Sequence, residues 1–342
     1  MDIQENVSLA NYSTMRLGGN ARYLATADSQ ESLVKLVNWA KDKGVDFMII
    51  GGGSNIIWRD EGYHGLIIVN KIMGREILAE DAASKTLRAG AGENWDNFVA
   101  WTVEQGLTGL EFLSLIPGSV GAGPVQNIGA YGGELSKVLL EVAVYDKQTG
   151  SFGSITTENC GFGYRTSRFK TSDKGRFVIT SLVVKLQKSS PRPPFYEILQ
   201  SYLDQHRVTD FTPANIRQAV IAIRSSKLPD PNVVANNGSF FTNPIISEDK
   251  FEQLKKTYPD IKGWPTDNGQ IKLAAGWLVE QAGFRGVHDE ETGMATYDNQ
   301  ALVLVNEHAK STADLLKFKQ KILDKVQAMF GVSLEQEPEL LP

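Results

Sequence analysis

Apolar positions recur at helical spacing near the start of the chain. In the segment DSQESLVKLVNWAKDKG, four apolar side chains share one helical face: Leu33, Leu36, Val37 and Ala40. Gly44 follows where a helix-terminating glycine belongs. Two apolar runs, VDFMII and HGLIIVN, come next and are typical of buried strands. This stretch predicts a small unit of helix and strands, interrupted by the glycines of GGGSN.

Further along, helical and strand patterns are mixed without regular alternation. Helices are predicted at NWDNFVAWTVEQG, TPANIRQAVIAIRSSK, SEDKFEQLKKTY, KLAAGWLVEQAG and from Ser311 to about Phe330; strands are predicted at LEVAVYD, FVITSLVVKLQ and QALVLVN. Thr212 fits an N-cap, with Pro213 at the first helical position. The order favours an α+β chain over a doubly wound parallel sheet.

Charge and hydropathy narrow the class of partner. The 342 residues carry a formal net charge of −5 with no basic block, which argues against a nucleic-acid or anionic-membrane surface. No apolar run approaches the ~18 residues that span a bilayer. The first residues, MDIQENVSLANYS, lack the basic and apolar regions of a signal peptide. We therefore expect a cytoplasmic protein that does not contact the membrane.

The cysteine and histidine content predicts neither a disulfide nor a metal site. Cys160 is the one cysteine, so an internal disulfide is impossible, and we expect it to fill space in a core. The four histidines are scattered at spacings that match no metal-ligand pattern: His64, His206, His288 and His308. We expect them on the surface or in loops.

A strand that runs into three glycines is the first candidate binding element. In MIIGGGSN, glycine allows backbone N–H groups to converge on an anion, and Ser54 and Asn55 add hydrogen-bonding side chains. The segment is not a P-loop, because no Gly-Lys-Ser/Thr follows. It also does not match the dinucleotide fingerprint. A diphosphate cradle and a structural turn are both consistent with it.

A second glycine-rich segment, IPGSVGAGPVQNIGAYGGEL, fits neither periodicity. Six of the sixteen positions from 118 to 133 are glycine. Long aperiodic loops inside compact domains usually serve a function. We expect backbone lying against a flat or charged ligand, with the side chains of Gln126, Asn127 and Tyr131 available to orient it. The two glycine segments together predict one large nucleotide cofactor laid across two subdomains.

Several motifs in this order resemble one enzyme family. They are STMRLGGNA, GGGSN, IPGSVGAGPVQNIGAYG, GFGYRTSRFK, RSSKLPDP, NNGSFFTNP, KLAAGWLVEQAG and QALVLVN. Their order and wording resemble the UDP-N-acetylenolpyruvoylglucosamine reductases of peptidoglycan synthesis, from Ser13 to about Glu339. The long glycine segment and NNGSFFTNP are the most specific of these motifs, and Tyr196 matches a tyrosine-bearing insert of one subgroup.

The resemblance implies a fold and a reaction. The fold is α+β, a two-lobed FAD-binding fold of the vanillyl-alcohol oxidase type plus an α+β substrate-binding domain. We expect lobe 1 at residues 1–70 with 331–342 packing back, lobe 2 at 71–212, and the substrate domain at 213–330. FAD is tightly bound, and NADPH is the reductant of UDP-N-acetylglucosamine enolpyruvate in a monomeric enzyme. No residue pattern explains a preference for NADPH over NADH.

The resemblance also implies which residues bind the flavin. They fall in the two glycine segments and in GFGYR: Ile50, Gly51, Gly52, Gly53, Ser54, Asn55, Pro117, Gly118, Ser119, Gly121, Ala122, Gln126, Asn127, Gly129, Ala130, Tyr164 and Arg165.

The implied reaction needs a proton donor and a partner for negative charge. Hydride addition to an enol ether beside a carboxylate builds negative charge that positioned donors stabilise. Ser239 in NNGSFFTNP resembles the family's proton donor; taken alone, the segment is as consistent with a tight turn. We expect Gly238 to give a close approach, and Phe240 and Phe241 to exclude water. Arg165 resembles the partner of the substrate carboxylate, for which its planar guanidinium is suited.

The family pattern also places a catalytic glutamate directly after a proline near the chain end. Glu339 follows Pro338 and is assigned the role of assisting polarisation and protonation. The segment is two residues longer than the usual pattern and lacks the arginine that commonly follows. Glu335 and Glu337 therefore stay open as alternatives.

Six further residues are implied to bind the substrate: Tyr131, Tyr196, Lys227, Asn243, Trp264 and Gln300. Lys227 would contact the diphosphate, and Tyr196 would close over the same group. Trp264 would lie near the uridine.

Two other functions stay open on the residues alone. A flavin oxidase of the same fold would need a base in place of a carbon-protonating acid, and a non-enzymatic nucleotide-sugar binder would purify without flavin.

Overall fold

The computed structural model describes residues 1–266 and 268–342. The chain divides into two compact units. Unit 1 comprises Met1–Val7, Ala21–Gly52 and His64–Arg224; unit 2 comprises Ser8–Asn20, Gly53–Tyr63 and Ser225–Pro342. The GGGSN segment therefore contributes its first two glycines to unit 1 and its remaining residues to unit 2.

Helices are distributed over both units. The α-helices are α1 (Gln30–Lys43), α2 (Trp95–Glu104), α3 (Glu197–Gln205), α4 (Pro213–Lys227), α5 (Glu248–Thr257), α6 (Ala275–Gln281) and α7 (Thr312–Phe330). Short 3₁₀ helices occupy Leu9–Tyr12, Glu111–Leu113, Val120–Gln126, Leu135–Lys137 and Thr157–Asn159.

The strands are mostly short. They are β1 (Ile3–Ser8), β2 (Asn20–Ala27), β3 (Phe47–Ile50), β4 (Ile56–Trp58), β5 (Tyr63–Asn70), β6 (Arg75–Glu80), β7 (Ser84–Gly90), β8 (Gly129–Ala130), β9 (Gly133–Glu134), β10 (Leu139–Asp146), β11 (Ser151–Thr156), β12 (Phe177–Gln187), β13 (Ala235–Ser239), β14 (Ile245–Ser247), β15 (Gly263–Pro265), β16 (Gln270–Leu273), β17 (His288–Asp289), β18 (Met294–Tyr297), β19 (Gln300–Asn306) and β20 (Glu339–Leu341).

Unit 1 is built on two larger sheets and one short hairpin. Their strand orders are β1-β2-β5-β3, β11-β10-β12-β7-β6 and β8-β9. In the first sheet β3 and β5 run parallel, and in the second every neighbouring pair is antiparallel. The apolar face of α1 packs with β5 in one core, and α2 packs with β7, β10 and β12 in another. These cores hold the ends of β3 and the long glycine segment in place.

Unit 2 contains a four-stranded sheet, a three-stranded sheet and one two-stranded pairing. The orders are β13-β19-β18-β17, β14-β16-β15 and β20-β4. The core is formed by α6, α7 and the sheet residues that face them, and it includes both phenylalanines of NNGSFFTNP. In the third pairing, the C-terminal strand β20 runs parallel to β4, with Glu339 opposite Ile56.

Several helix ends are fixed by local capping residues. Ser29 forms a capping box with Ser32 at the start of α1, and Gly44 ends the helix with φ +64°. At α7, Ser311 caps the first turn and Gly331 takes the left-handed conformation at the other end. The Oγ1 of Thr212 accepts a hydrogen bond from the backbone N–H of Asn215, which confirms the predicted cap of α4.

One predicted helix is only partly helical. In KLAAGWLVEQAG the helix occupies Ala275–Gln281, whereas the preceding Gln270–Leu273 form β16. The tertiary context explains the difference, because β16 is the central strand of its sheet and pairs with β14 and β15 on its two sides. Lys272, the lysine of this motif, therefore lies in a strand and not in a helix.

The three-domain division expected from the sequence stays a prediction. The chain forms two compact units, and Ser8–Asn20 and Gly53–Tyr63 belong to the same unit as the C-terminal part of the chain. Residues 331–342 were expected to pack back on residues 1–70. In the structure, the C-terminal strand β20 pairs with β4.

Several smaller expectations can be compared with the structure. Cys160 is buried in the unit 1 core, as expected, and desolvation raises the pKa of its thiol to about 11. Within residues 1–266 and 268–342, no cluster of three metal-ligating side chains occurs. Over the same residues, no helix is both long and apolar enough to cross a membrane.

Candidate active site

In unit 1 the two glycine-rich segments lie directly against each other. A Cβ atom on Gly51 would lie 2.2 Å from Ser119 Oγ, and one on Gly52 would lie 2.9 Å from Gly118 Cα. Such distances exclude side chains at Gly52, where the neighbour is backbone. The glycines are therefore needed for this close approach. The two segments are therefore in direct contact, backbone against backbone at Gly52 and Gly118.

The long glycine segment is more ordered than its aperiodic sequence indicates. Residues Val120–Gln126 form a 3₁₀ helix, and the backbone N–H of Gly121 donates to Ala91 O at 2.9 Å. The N–H of Ala122 donates to Ser119 O at 3.0 Å. These two amides are used within the protein, so any contact that Gly121 and Ala122 make to a cofactor would come from other atoms.

The expectation that the Asn127 side chain is available to a ligand is wrong. Its Nδ2 donates to Glu134 Oε1 and to Gly163 O, and its Oδ1 accepts from the Ser136 N–H at 3.1 Å. The residue is 2% exposed and takes a left-handed φ of +47°. Asn127 therefore fastens the end of the glycine segment to its neighbours, a role that a sequence motif alone does not distinguish from ligand binding.

Arg165 is held against the same segment. Its Nη2 donates to Gly129 O at 2.9 Å, at the hairpin formed by β8 and β9. The guanidinium carbon lies 5.7 Å from the centre of the Tyr164 ring, and Tyr164 is 47% exposed. Arg165 has a φ of +53°, an uncommon conformation for a non-glycine residue that often occurs at functional sites.

Two predicted substrate-binding tyrosines of unit 1 are neighbours. The rings of Tyr131 and Tyr196 meet edge to face with centroids 6.4 Å apart. Tyr131 occupies the turn between β8 and β9 with a φ of +50°. Burial raises the pKa of its hydroxyl, while the nearby Arg224 acts in the opposite direction. The Tyr131 hydroxyl therefore stays protonated at neutral pH and can donate a hydrogen bond.

In unit 2, Ser239 ends β13 after a β-bulge. Asn236 pairs with Val305 and Ser239 with Val303, so β13 carries one extra residue between these pairs. Gly238 has a φ of +71°, and its N–H donates to Asn236 Oδ1 at 2.8 Å. The predicted glycine hinge before Ser239 is thus present, and it takes the form of a bulge.

The expectation that two phenylalanines enclose Ser239 is wrong. Phe240 is 0% exposed and Phe241 is 1% exposed, and both pack into the unit 2 core, whereas the side chain of Ser239 is exposed. The rings anchor the strand that carries the serine. The sequence could not distinguish these functions because aromatic residues beside a polar one are typical of both arrangements.

Asn237, beside the bulge glycine, was not identified as a site residue from the sequence. Its Nδ2 donates to Thr14 Oγ1 at 3.0 Å, to Ser54 O at 3.0 Å and to Ile56 O at 3.3 Å. Three motifs of the sequence meet at this one amide: STMRLGGNA, GGGSN and NNGSFFTNP. The available signal in the sequence was its position in NNGSFFTNP, two residues before Ser239.

The C-terminal glutamates lie on a segment that pairs with both candidate loops of unit 2. The N–H of Glu337 donates to Phe240 O at 2.9 Å, and the N–H of Glu339 donates to Asn55 O at 2.9 Å. Glu335 O accepts from the Thr242 N–H at 2.9 Å. Of the three glutamates, Glu337 pairs with the residue that directly follows Ser239. Glu335 is exposed, and the other two are half-buried.

Two predicted substrate-binding residues of unit 2, Asn243 and Gln300, lie beside the start of α6. Asn243 Oδ1 accepts from the Ala275 N–H at 2.9 Å, and a Cβ on Gly276 would lie 3.0 Å from Gln300 Oε1. The Nδ2 of Asn299, next to Gln300, donates to Ser226 O at 3.2 Å, which places the Lys227 backbone beside this region. Trp264 lies on β15 and is 40% exposed.

The candidate residues therefore form one group in each unit. In unit 1, the loop after Ile50 meets Gly118 and Ser119, and Arg165 contacts Gly129. In unit 2, Glu337 is hydrogen-bonded to Phe240, which follows Ser239, and both Asn237 and Glu339 bind the backbone of the segment 54–56. Arg217 on α4 and Asp96 on α2 form an ion pair that the sequence did not indicate. Its two nitrogen–oxygen distances are 2.7 and 2.8 Å.

Two known protein families match separate parts of the chain. Residues 21–154 match the FAD binding domain family, and residues 230–341 match the C-terminal domain family of UDP-N-acetylenolpyruvoylglucosamine reductase. A crystal structure of UDP-N-acetylenolpyruvylglucosamine reductase (MurB) from Thermus caldophilus covers 100% of both chains with a TM-score of 0.69 at 22% identity. The two family matches and this structural likeness together show the fold, an FAD-binding domain of the vanillyl-alcohol oxidase type followed by the MurB C-terminal domain.

Sequence relatives extend over the full chain. The UDP-N-acetylenolpyruvoylglucosamine reductase of Alcanivorax borkumensis is 41% identical over 338 residues, 99% of this chain and 96% of the relative. The enzyme of the same name from Pseudomonas aeruginosa is 38% identical over 340 residues, 99% of each chain. With this identity along its whole length, the chain belongs to the UDP-N-acetylenolpyruvoylglucosamine reductase family.

Proposed function

We propose that Ser239 and a C-terminal glutamate complete the protonation step of the family's reaction in this chain. As a member of the family, the chain is an FAD-dependent oxidoreductase. Its reaction is the NADPH-dependent reduction of UDP-N-acetylglucosamine enolpyruvate to UDP-N-acetylmuramate, a step of peptidoglycan synthesis. The observation that carries the residue assignment is the hydrogen-bonded pairing of the Glu337 segment with the strand of Ser239.

Unit 1 supplies residues that fit the flavin. Bound FAD supplies the chemistry of hydride transfer from NADPH to the substrate. We assign the diphosphate to the region where Gly51 and Gly52 meet Gly118 and Ser119, because the backbone of Gly52 lies directly against that of Gly118. Ser54 and Asn55 continue the same chain segment in unit 2.

Arg165 would bind the carboxylate of the enolpyruvyl group. Hydride arriving at the methylene carbon places an electron pair on the neighbouring carbon and its carboxylate, and a fixed guanidinium stabilises that charge. The hydrogen bond from Arg165 Nη2 to Gly129 O fixes the orientation of the planar group. A pre-oriented donor of this kind acts without rearranging during the reaction.

Ser239 would then give its hydroxyl proton to that carbon. A serine is a weak acid, but a carbanion-like centre is a strong base, so transfer is favourable once the two are in contact. The serine alkoxide must regain a proton, and a nearby carboxyl group provides a path. The motif assigns this role to Glu339, whereas the backbone pairing with Phe240 favours Glu337. We therefore propose Glu337 for it.

The remaining assignments concern substrate binding. Tyr131 and Tyr196 in unit 1, and Lys227, Asn243, Trp264 and Gln300 in unit 2, are proposed to bind the UDP-sugar. Lys227 offers a positive charge to the diphosphate, and Asn243 uses its oxygen to cap α6, which leaves its NH₂ group oriented for a phosphate oxygen. We also propose that the protein acts as a monomer in the cytoplasm.

Anaerobic absorbance spectra of the purified protein test the function. The oxidised flavin band should bleach on addition of NADPH and return on addition of UDP-N-acetylglucosamine enolpyruvate. A flavin that bleaches without returning would overturn the assigned substrate and favour another flavoprotein of the same fold. A protein that binds no FAD but binds a UDP-sugar would be the non-enzymatic alternative.

A further inference from the structure

We infer that Asn237 is a positioning residue, which fixes the turn that carries Ser239. The inference rests on the proposed role of Ser239 as proton donor. It concerns a side chain that need not touch substrate or cofactor. Its support comes from the bulge before Ser239, the three hydrogen bonds of one amide, and the burial of that amide.

The sheet ladder does not fix the chain between Asn236 and Ser239. The register between β13 and β19 shifts there, since three steps along β13 match two steps along β19. Regular pairing resumes at Ser239, and the Phe240 N–H donates to Leu302 O at 2.8 Å. Bulges near active sites commonly re-aim a side chain, but the bulged residues need other contacts to hold them.

Asn237 makes those contacts. Its NH₂ group reaches three acceptors, two of them the backbone oxygens of Ser54 and Ile56 on either side of Asn55. The residue is 6% exposed, so water competes little for these bonds. The bulge is thereby tied to the last part of GGGSN and to Thr14.

The same amide is poorly explained by stability alone. Asn237 Oδ1 is buried, and no hydrogen-bond donor for it occurs in the described part of the chain. An unsatisfied buried acceptor is destabilising and offsets part of what the three hydrogen bonds of the NH₂ group contribute. What the asparagine provides in addition is a geometric link between the serine turn and the backbone oxygens of Ser54 and Ile56.

Half-reaction kinetics of FAD-loaded Asn237→Ala test the inference. Asn237→Asp is the second variant, because it keeps the side-chain size but replaces the donating NH₂ group by an oxygen. We expect flavin reduction by NADPH at the wild-type rate and reoxidation by the enolpyruvyl substrate slowed about 10- to 100-fold, the effect of a small misplacement of a reacting group. The solvent deuterium isotope effect on reoxidation should rise, because proton transfer becomes the slower event.

Asn306→Ala is the matched control. Its side-chain Nδ2 also donates to a backbone oxygen of the N-terminal segment, Met15 O at 3.1 Å, but its strand partner is Ala235, which precedes the bulge. We expect a similar change in melting temperature for Asn306→Ala and Asn237→Ala, with reoxidation slowed only in the latter. Equal slowing in both variants would show a merely structural role and overturn the inference.

Other outcomes are equally decisive. Reoxidation of both Asn237 variants at the wild-type rate would overturn the inference while leaving the proposed function intact. Loss of FAD from Asn237→Ala would also overturn it, since the amide would then serve the cofactor loop. A wild-type protein that the enolpyruvyl substrate does not reoxidise would instead overturn the proposed function, and this inference with it.

Discussion

The backbone N–H of Glu337 donates to the carbonyl oxygen of Phe240 at 2.9 Å. This bond joins the last residues of the chain to the strand that carries Ser239, nearly one hundred positions earlier in the sequence. The backbone around Glu337 therefore lies beside the residue that directly follows Ser239, and an isolated bridge between Gln336 and Phe241 continues this pairing.

Replacement of the C-terminal glutamates separates their roles. We expect Glu337→Gln to slow flavin reoxidation by the enolpyruvyl substrate about 10²-fold or more, since general acid assistance is worth about 10²–10⁴-fold. Glu339→Gln should have a smaller effect, because Glu339 pairs with Asn55 rather than with the strand of Ser239. Rapid-mixing measurement of the flavin reoxidation rate in both variants decides between the two glutamates. The reverse order of effects would restore Glu339 to the catalytic role.

Gly52→Ala tests the contact between the two glycine segments. The added Cβ would lie 2.9 Å from the backbone Cα of Gly118, so the segments must move apart. Overpacking of this kind costs about 1–3 kcal/mol, and each 1.4 kcal/mol is about tenfold in affinity. We expect FAD to bind about tenfold more weakly or worse, measured by flavin fluorescence on titration.

Gly153→Ala is the control for this prediction. A Cβ on Gly153 would have no atom within 4 Å, so the substitution adds a methyl group in open space. FAD affinity of this variant should match the wild type. Unchanged FAD binding in Gly52→Ala would show that the cofactor does not depend on the close approach of the two segments.

The ion pair of Asp96 with Arg217 predicts a pH dependence of stability. Burial alone would raise the pKa of the Asp96 carboxyl, but hydrogen bonds from Arg217 and from the Leu115 N–H hold it below its ordinary value. A lowered folded-state pKa stabilises the fold fully above the unfolded value of about 3.9. That stabilisation is lost as the pH falls through the folded-state pKa.

Asp96→Asn should therefore lower the free energy of unfolding at pH 7 by about 1.5–3 kcal/mol, the usual contribution of hydrogen bonds to a charged group. Urea unfolding at pH 7, 5 and 3 measures the difference from wild type. It should be constant between pH 7 and 5 and smaller at pH 3. A difference that grows on acidification would contradict the assignment.

Local signals in the sequence predicted the elements with clear periodicity and caps. Gly44 ends α1 and Thr212 caps α4, because capping depends on residues a few positions apart. Lys272 and Leu273 were predicted as the start of a helix but belong to the strand Gln270–Leu273, because pairing with strands on both sides outweighs their local preference.

The candidate site was predictable in composition but not in assembly. Motif resemblance pointed to Ser239 and to the glycine segments. The bonds of Asn237 to Thr14 and Ser54 join residues 223 and 183 positions apart, and no periodicity reports such contacts. For the same reason the choice between Glu337 and Glu339 needed the pairing of the C-terminal segment. Asn127 shows the converse error, a motif residue whose side chain is used inside the protein.

Rapid-mixing kinetics of Ser239→Ala measure the central claim most directly. The oxidised variant is mixed anaerobically with NADPH, and the reduced variant is then mixed with UDP-N-acetylglucosamine enolpyruvate. We expect bleaching at the wild-type rate and reoxidation slowed about 10²–10⁴-fold, as for loss of a general acid. Reoxidation at the wild-type rate, or equal slowing of both half-reactions, would contradict the role of Ser239 as proton donor.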